Sequence, residues 1–302
     1  MHEAHEFFSS GAFSRAKVVL EKALGIDFEH PEVLASLKCA QFWEDRHSRL
    51  EGYTDPFDKG EFLLKEWKVF STFLSAAGCP GQEGLFPIRQ WVFSTALEQY
   101  LRLLESPDSE DTELLFKVGR CYKGSGDYLQ AQRFLETAGQ KRKKEPAILA
   151  ELADCYALLN EVRISKVFFR EAFFIDPQLV ELAFLESVMM TRLMDRLRTD
   201  GLKDPELTEW IPVYATLYGV FNVKRELKPL EYGKLKQAIF NLEADLDGGR
   251  YEDGNFLVPR LINRYFWLID HYVMSGESRE MIQEVLEKIK KLDASVYEHY
   301  IH

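Results

Sequence analysis

Two segments of the sequence carry the same pattern of apolar and small residues, 34 positions apart. Gly119 corresponds to Ala153, and Tyr122 corresponds to Tyr156. Within each copy, apolar residues three and four apart form two stripes, each of which matches one face of an α-helix. A run of turn-forming residues, 123–127, separates the two stripes of the first copy. The pattern therefore predicts pairs of helices that bury their apolar faces against each other and against neighbouring pairs.

The pattern resembles the tetratricopeptide repeat (TPR), a helix hairpin with this period. The second copy matches that repeat at its apolar, small, aromatic and terminal proline positions: Leu149, Ala153, Tyr156, Phe169, Ala172 and Pro177. The first copy departs from it at Lys143, where a proline is usual. The resemblance is clear over residues 112–177. It implies an α-α superhelix, which is a solenoid of antiparallel helix hairpins with an exposed concave side.

A weaker copy lies in residues 1–34, and its first helix would have to begin before Met1. We interpret it either as a truncated repeat or as a sign that the chain was trimmed from something longer. An incomplete repeat leaves an apolar helix flank that needs cover. Self-association through this flank is one expectation, and an upstream segment is the alternative.

The rest of the chain is predicted to be helical, so the fold class is all-α with about fourteen helices. Residues 1–200 are expected to form TPR-like repeats, and 201–302 an irregular C-terminal helical region that continues the solenoid. Pro212 predicts a kink or a restart in the helix that begins near Pro205. Outside the two clear repeats, helices are predicted at 31–50, 178–199, 229–246, 257–275 and 278–293.

Charge and composition exclude several classes of protein. The 302 residues carry 38 Lys and Arg against 49 Asp and Glu, a net charge of −11, so the chain as a whole repels phosphate and nucleic acid is not an expected partner. No apolar run reaches the ~20 residues needed to span a bilayer. The four cysteines and the lack of a secretory leader at the start favour a reducing compartment, and we expect a cytoplasmic protein.

The first helix of each TPR hairpin lines the concave side, so its side chains outside the packing pattern are predicted to bind a partner protein or peptide. Glu151 and Asp154 favour a basic or apolar segment, and the cationic clamp of some TPR proteins is not reproduced. We expect that replacing Phe116 and Arg120 would weaken binding without changing the fold; the alternative is that Phe116 packs against a neighbouring helix. The predicted concave-face residues are Glu113, Phe116, Lys117, Arg120, Lys123, Glu151, Asp154 and Leu158.

A second hypothesis places a small-molecule or lipid pocket in the C-terminal half, where aromatic residues recur at helical spacing and two arginines lie one turn apart. Its residues would be Trp210, Tyr214, Tyr218, Arg260, Arg264 and Trp267. No phosphate loop, dinucleotide fingerprint, zinc-protease motif or nucleophile elbow occurs in the sequence. We therefore expect no enzymatic activity, no catalytic residue, no cofactor and no metal, and a scaffold that binds another protein.

Overall fold

A computed structural model of the chain describes residues 1–77, 85–104, 111–248 and 256–302. Across these residues the backbone forms fifteen α-helices and two short 3₁₀ turns, without any strand. The predicted all-α class is therefore confirmed. None of the described helices combines the length and the hydropathy that crossing a membrane requires.

The chain divides into two compact units, Met1–Lys143 and Lys144–His302. The first unit contains α1 (His2–Ser9), α2 (Phe13–Leu24), α3 (Pro31–Leu50), α4 (Pro56–Ala77), α5 (Phe86–Leu103), α6 (Thr112–Ser125) and α7 (Tyr128–Lys141). The second contains α8 (Pro146–Leu158), α9 (Val162–Ile175), α10 (Val188–Thr199), α11 (Glu206–Leu217), α12 (Pro229–Asp247), α13 (Leu257–Ser275), α14 (Arg279–Leu292) and α15 (Ala294–Ile301). The division falls between the two repeats, whereas the sequence predicts a change from TPR-like repeats to irregular helices near residue 200.

Each clear repeat forms a pair of contacting helices, α6 with α7 in the first unit and α8 with α9 in the second. The ends of the first pair have ordinary capping chemistry. The Asp111 carboxylate accepts the N–H of Leu114, and the Asp127 carboxylate accepts the N–H of Gln130. Between the helices Gly126 has φ +96°, a left-handed conformation that glycine adopts without a Cβ penalty.

The 34-residue correspondence extends to contacts inside each pair. The rings of Tyr122 and Phe134 lie 5.5 Å apart in the first unit, and the rings of Tyr156 and Phe168 lie 5.5 Å apart in the second. Both partners are displaced by the same interval in the sequence. The two pairs therefore share internal packing as well as a sequence pattern.

An aromatic cluster covers the N-terminal helices. Phe8 and Phe13 are buried, and the Phe13 ring lies 4.8 Å from that of Trp91 on α5. A Cβ at Gly11, in the turn between α1 and α2, would overlap the Trp91 side chain. Helix α1 also packs directly on α5. The N-terminal helices were expected to need a second copy or an upstream segment to cover their apolar flank. Part of that flank instead contacts α5 of the same unit.

Three elements of the second unit differ from the sequence-based expectation. Residues 178–187 do not join the predicted helix; they form 3₁₀ turns at Pro177–Leu179 and Leu182–Phe184, and α10 begins only at Val188. Helix α11 runs through Pro212 as one helix, so the alternative of a restart at that proline is wrong. Helix α15 is not anticipated by the sequence.

Candidate binding site

Most residues predicted to line a concave groove lie in the interior. Those with less than one tenth of their surface exposed are Phe116, Lys117, Arg120, Lys123, Glu151 and Asp154. Glu113 and Leu158 are partly buried. The expected exposure of these first-helix positions is therefore wrong for six of the eight, and they do not form an open binding wall.

In the first unit, the predicted groove residues of α6 are used in packing. The Lys117 ammonium lies 2.7 Å from Glu61 of α4 and 3.3 Å from Glu113. The Arg120 guanidinium stacks over the Phe116 ring, 4.5 Å from its centroid. Glu61 also accepts the Tyr100 hydroxyl at 2.6 Å, and burial followed by this hydrogen bond raises the pKa of Tyr100. The polar side of α6 therefore belongs to the interior of the unit.

In the second unit, the chain itself covers the polar side of α8. The two carboxylate oxygens of Asp154 accept the backbone N–H groups of Glu186 and Ser187, each at 2.8 Å. These are charge-assisted bonds, which satisfy a buried carboxylate. Glu151, one turn earlier, is also buried. Asp154 is therefore enclosed by residues of its own unit, and neither carboxylate is exposed to attract a basic segment.

Several side chains predicted for the aromatic ligand pocket contact other side chains of the protein. Trp267 is buried with its ring 4.4 Å from that of Phe174. Arg260 forms ion pairs with Glu209 and, at 3.5 Å, with Asp176. Its guanidinium is therefore compensated within the protein and is not aimed at a ligand.

The remaining pocket residues are also engaged with their neighbours. The Arg264 guanidinium donates to the carbonyl of Arg260 at 3.3 Å. Trp210, Tyr214 and Tyr218 form a ring ladder along α11, with centroids 5.7 and 5.8 Å apart. Only Tyr218, at the end of this ladder, lines one of the two clefts described below.

A cleft of about 540 Å³, here called the apolar cleft, opens in the second unit beside the start of α9. Its walls come from the end of α8, the start of α9, the start of α10 and the segment that follows α11. The lining residues are Ala157, Leu158, Val162, Lys166, Ser187, Val188, Met189, Tyr218, Gly219 and Val220. The cleft thus joins Leu158 from the predicted groove with Tyr218 from the predicted ligand pocket.

The mouth of the apolar cleft exposes large apolar side chains to solvent. Val188 is 60% exposed, Val162 42% and Tyr218 37%. The wall that follows α11 is held in place by Phe221, which is buried against Phe169 and Phe173 of α9. A wall that is anchored in the core, next to exposed apolar side chains, is typical of a preformed binding surface.

A second cleft of about 470 Å³, here called the basic cleft, adjoins the first and shares Val162 and Lys166 with it. Its other lining residues are Arg163, Asn222, Val223 and Lys224. The Lys166 ammonium donates to the carbonyl of Gly219 at 3.1 Å and to Oδ1 of Asn222 at 2.9 Å. These bonds connect α9 to the segment after α11 and place a cation where the two clefts meet.

The sequence holds few signals for these clefts. The sequence assigns Leu158 to the predicted groove and Tyr218 to the predicted ligand pocket, and the two residues lie 60 positions apart in the chain (158 to 218). Their proximity depends on the fold of 182–187 over α8, which helical periodicity does not reveal. Among the residues that the structure describes, no group of three or more His, Cys, Asp or Glu side chains is placed to hold a metal ion.

Comparison of the chain with models of known protein families gave no match, and neither did comparison with curated protein sequences. The geometry of the two clefts is therefore the basis for a functional proposal.

Proposed function

We propose that this chain is a non-catalytic, TPR-like helical protein that binds a peptide segment of another protein in the apolar cleft. The observation that carries the proposal is a cleft of about 540 Å³ whose mouth exposes Val162, Val188 and Tyr218. Exposed apolar side chains around a concavity favour a partner that brings its own apolar group. The superhelical arrangement of successive hairpins belongs to the same proposal and follows from the resemblance.

The proposed mechanism is recognition by a preformed surface. The cleft walls are helix ends and a segment anchored by Phe221, so little of the protein has to become ordered when a ligand binds. The conformational entropy cost then falls mainly on the peptide. An apolar side chain of the peptide would enter the cleft between Leu158 and Val188.

The proposal includes a cytoplasmic location and no bound cofactor. Support for a reducing compartment comes from the low cysteine content, which is four residues in 302. This is also the location in which a protein without chemistry of its own would meet soluble partners.

The test is selection of peptides from a random display library on the full-length protein, followed by affinity measurement with Val188→Asn. Val188 is mostly exposed at the first position of α10, so this change should leave folding intact and adds no charge. Loss of its apolar contact should weaken the selected peptides by about tenfold. The control is Leu230→Asn, since Leu230 is 72% exposed in the first turn of α12 and lines neither cleft.

The variants separate the outcomes. Weaker binding to Val188→Asn with full binding to Leu230→Asn supports the proposal. Peptides that bind both variants equally well would place the binding surface elsewhere and overturn the assignment of the apolar cleft. A small apolar compound that binds the cleft, with no peptide selected, would favour the ligand-pocket hypothesis instead.

A further inference from the structure

We propose that the bound segment is acidic, with one or more carboxylates next to the apolar residue that enters the apolar cleft. This inference rests on the proposed function and concerns the chemistry of the partner. It reverses the preference for a basic segment that Glu151 and Asp154 suggest in the sequence, because both of those carboxylates are buried.

The linings of the two clefts contain three cationic side chains and no carboxylate. Arg163, Lys166 and Lys224 supply the positive charge. The chain as a whole carries a net charge of −11, so the lining of the clefts has the opposite sign of charge from the whole protein. A cleft lined by one sign of charge raises the local concentration of ligands of the opposite sign.

The charge of Lys166 is not neutralised by its own contacts. Its ammonium donates to two neutral acceptors, the Gly219 carbonyl and the Asn222 side chain. A lysine ammonium has three donors, so one remains for a ligand. Lys166 also lines both clefts, and a carboxylate that reaches it would lie beside the apolar contact.

The other two cations add to this charge. Arg163 is exposed near the start of α9. Lys224 lies 3.6 Å from Asp270, but that carboxylate is already paired with the buried Arg170. Two cations therefore share one carboxylate, and the group retains a net positive charge.

The arrangement suits one continuous segment. Arg163 and Lys166 are three residues apart on α9, which places them on neighbouring positions of one helix face. Since the clefts share Val162 and Lys166, an apolar side chain and a carboxylate a few residues apart would reach both. The face involved belongs to the second helix of the repeat, whereas the resemblance predicts binding on the first.

Ser187 offers a further polar contact within the apolar cleft. Its side chain is 2% exposed, and its Oγ has no hydrogen-bond partner in the described part of the chain. A buried hydroxyl without a partner carries a desolvation cost that a ligand oxygen would remove.

The observations favour a peptide over a nucleic acid or a membrane surface. Three cations are few for a phosphate backbone, whose binding depends on releasing many counterions, and the remainder of this acidic chain would repel it. The apolar half of the site also has the size that suits one or two buried side chains.

The experiment uses the full-length protein and a peptide selected on it that depends on Val188. Fluorescence anisotropy compares this labelled peptide with its amide analogue, in which each Asp becomes Asn and each Glu becomes Gln. We expect enrichment of acidic residues among the selected peptides and about tenfold weaker binding of the amide analogue. Raising NaCl from about 0.05 M to about 0.5 M should weaken the acidic peptide and have little effect on the amide analogue.

Charge variants identify the cations. Arg163→Glu should weaken the acidic peptide by about tenfold, because it replaces attraction with repulsion at an exposed site. The control Lys234→Glu makes a similar change in net charge at an exposed position of α12 that lines neither cleft, and it should leave affinity unchanged.

Failure of this inference differs from failure of the proposed function. Peptides that need Val188 but bind equally well as amides, and that ignore Arg163→Glu, would overturn the acidic preference and leave peptide binding in place. If no selected peptide depends on Val188, the proposed function fails as well. Displacement of the peptide by phosphatidylserine vesicles or by a single-stranded oligonucleotide at physiological salt would assign the cations to phosphate and overturn the inference.

Discussion

Asp154 accepts two backbone N–H groups from the segment just before α10, so its removal should lower the stability of the protein. Asp154→Ala would strand the N–H groups of Glu186 and Ser187, which it now accepts at 2.8 Å. We expect a loss of about 3 kcal/mol in the free energy of unfolding, since buried donors without partners are costly. Urea denaturation measures the loss.

Asp154→Asn is the matched control, because its amide keeps one oxygen acceptor and should cost less than alanine. Peptide binding should weaken as well, because Ser187 and Val188 line the apolar cleft. A variant with unchanged stability and lost partner binding would return Asp154 to the role of a direct binding residue.

Phe116 gives a second prediction at the residue scale. Its side chain is 6% exposed and lies beneath the Arg120 guanidinium. Phe116→Ala should lower the free energy of unfolding by about 3 to 5 kcal/mol, because it leaves a cavity in the first unit. Thermal and chemical denaturation both report it.

Phe28→Ala is the control, since Phe28 is 75% exposed, and its effect should stay within about 0.5 kcal/mol. An unchanged melting temperature for Phe116→Ala would revive the sequence-based expectation that this residue serves binding alone.

The burial of these residues was predictable only in part. The repeat positions of α8 are expected in the interior, and Leu149, Ala153 and Tyr156 are buried. The other positions of the helix are predicted to be exposed, because the two helices of a single hairpin pack together through one apolar face each. The composition of α8 argues against an exposed face. Only Glu151 and Asp154 are charged in Pro146–Leu158. A helix that is apolar on all faces is usually covered on every side.

At the scale of elements, two glycines inside helices predict opposite effects of the same substitution. A Cβ at Gly124 of α6 would overlap the Phe93 ring, which is 1% exposed and has no room to move. Gly124→Ala should therefore destabilise the protein by about 1 to 3 kcal/mol. Chemical denaturation of both glycine variants provides the measurement.

Gly233 of α12 has nothing within 4 Å of such a Cβ. Gly233→Ala should stabilise the protein by about 0.5 to 1 kcal/mol, because alanine loses less backbone entropy on folding into a helix. A stabilising Gly124→Ala would contradict the close contact between α5 and α6, and a destabilising Gly233→Ala would contradict the open space beside α12.

Helix boundaries followed the sequence where local signals were strong. Pro31–Leu50 and Leu257–Ser275 coincide with the predicted spans, and Pro229–Asp247 differs by one residue. The predicted helix at 178–199 was wrong at its start, and just before α10 Asp154 accepts the N–H groups of Glu186 and Ser187. These hydrogen bonds join residues more than 30 positions apart, and a periodicity argument sees only neighbours.

At the scale of the whole molecule, the sequence predicts the fold class but not the two clefts. A period of 34 residues and the absence of alternating patterns were enough for an all-α prediction. The two clefts draw on Leu158, Val162, Val188, Tyr218 and Lys224, which no single helical stripe connects. Their assembly follows from the way 182–187 and 218–224 fold back on α8 and α9.

The division of the chain at Lys143 and Lys144 leads to a last prediction. It lies in the exposed basic run Lys141–Lys144, where α7 has ended and α8 has not begun. Every residue that lines the two clefts belongs to the second unit. A fragment of residues 144–302 should therefore fold into helices and bind the selected peptide with the affinity of the full chain, whereas a fragment of residues 1–143 should fold without binding it. Circular dichroism and fluorescence anisotropy test the two properties separately, and a folded fragment 144–302 that fails to bind would show that the cleft is not sufficient by itself.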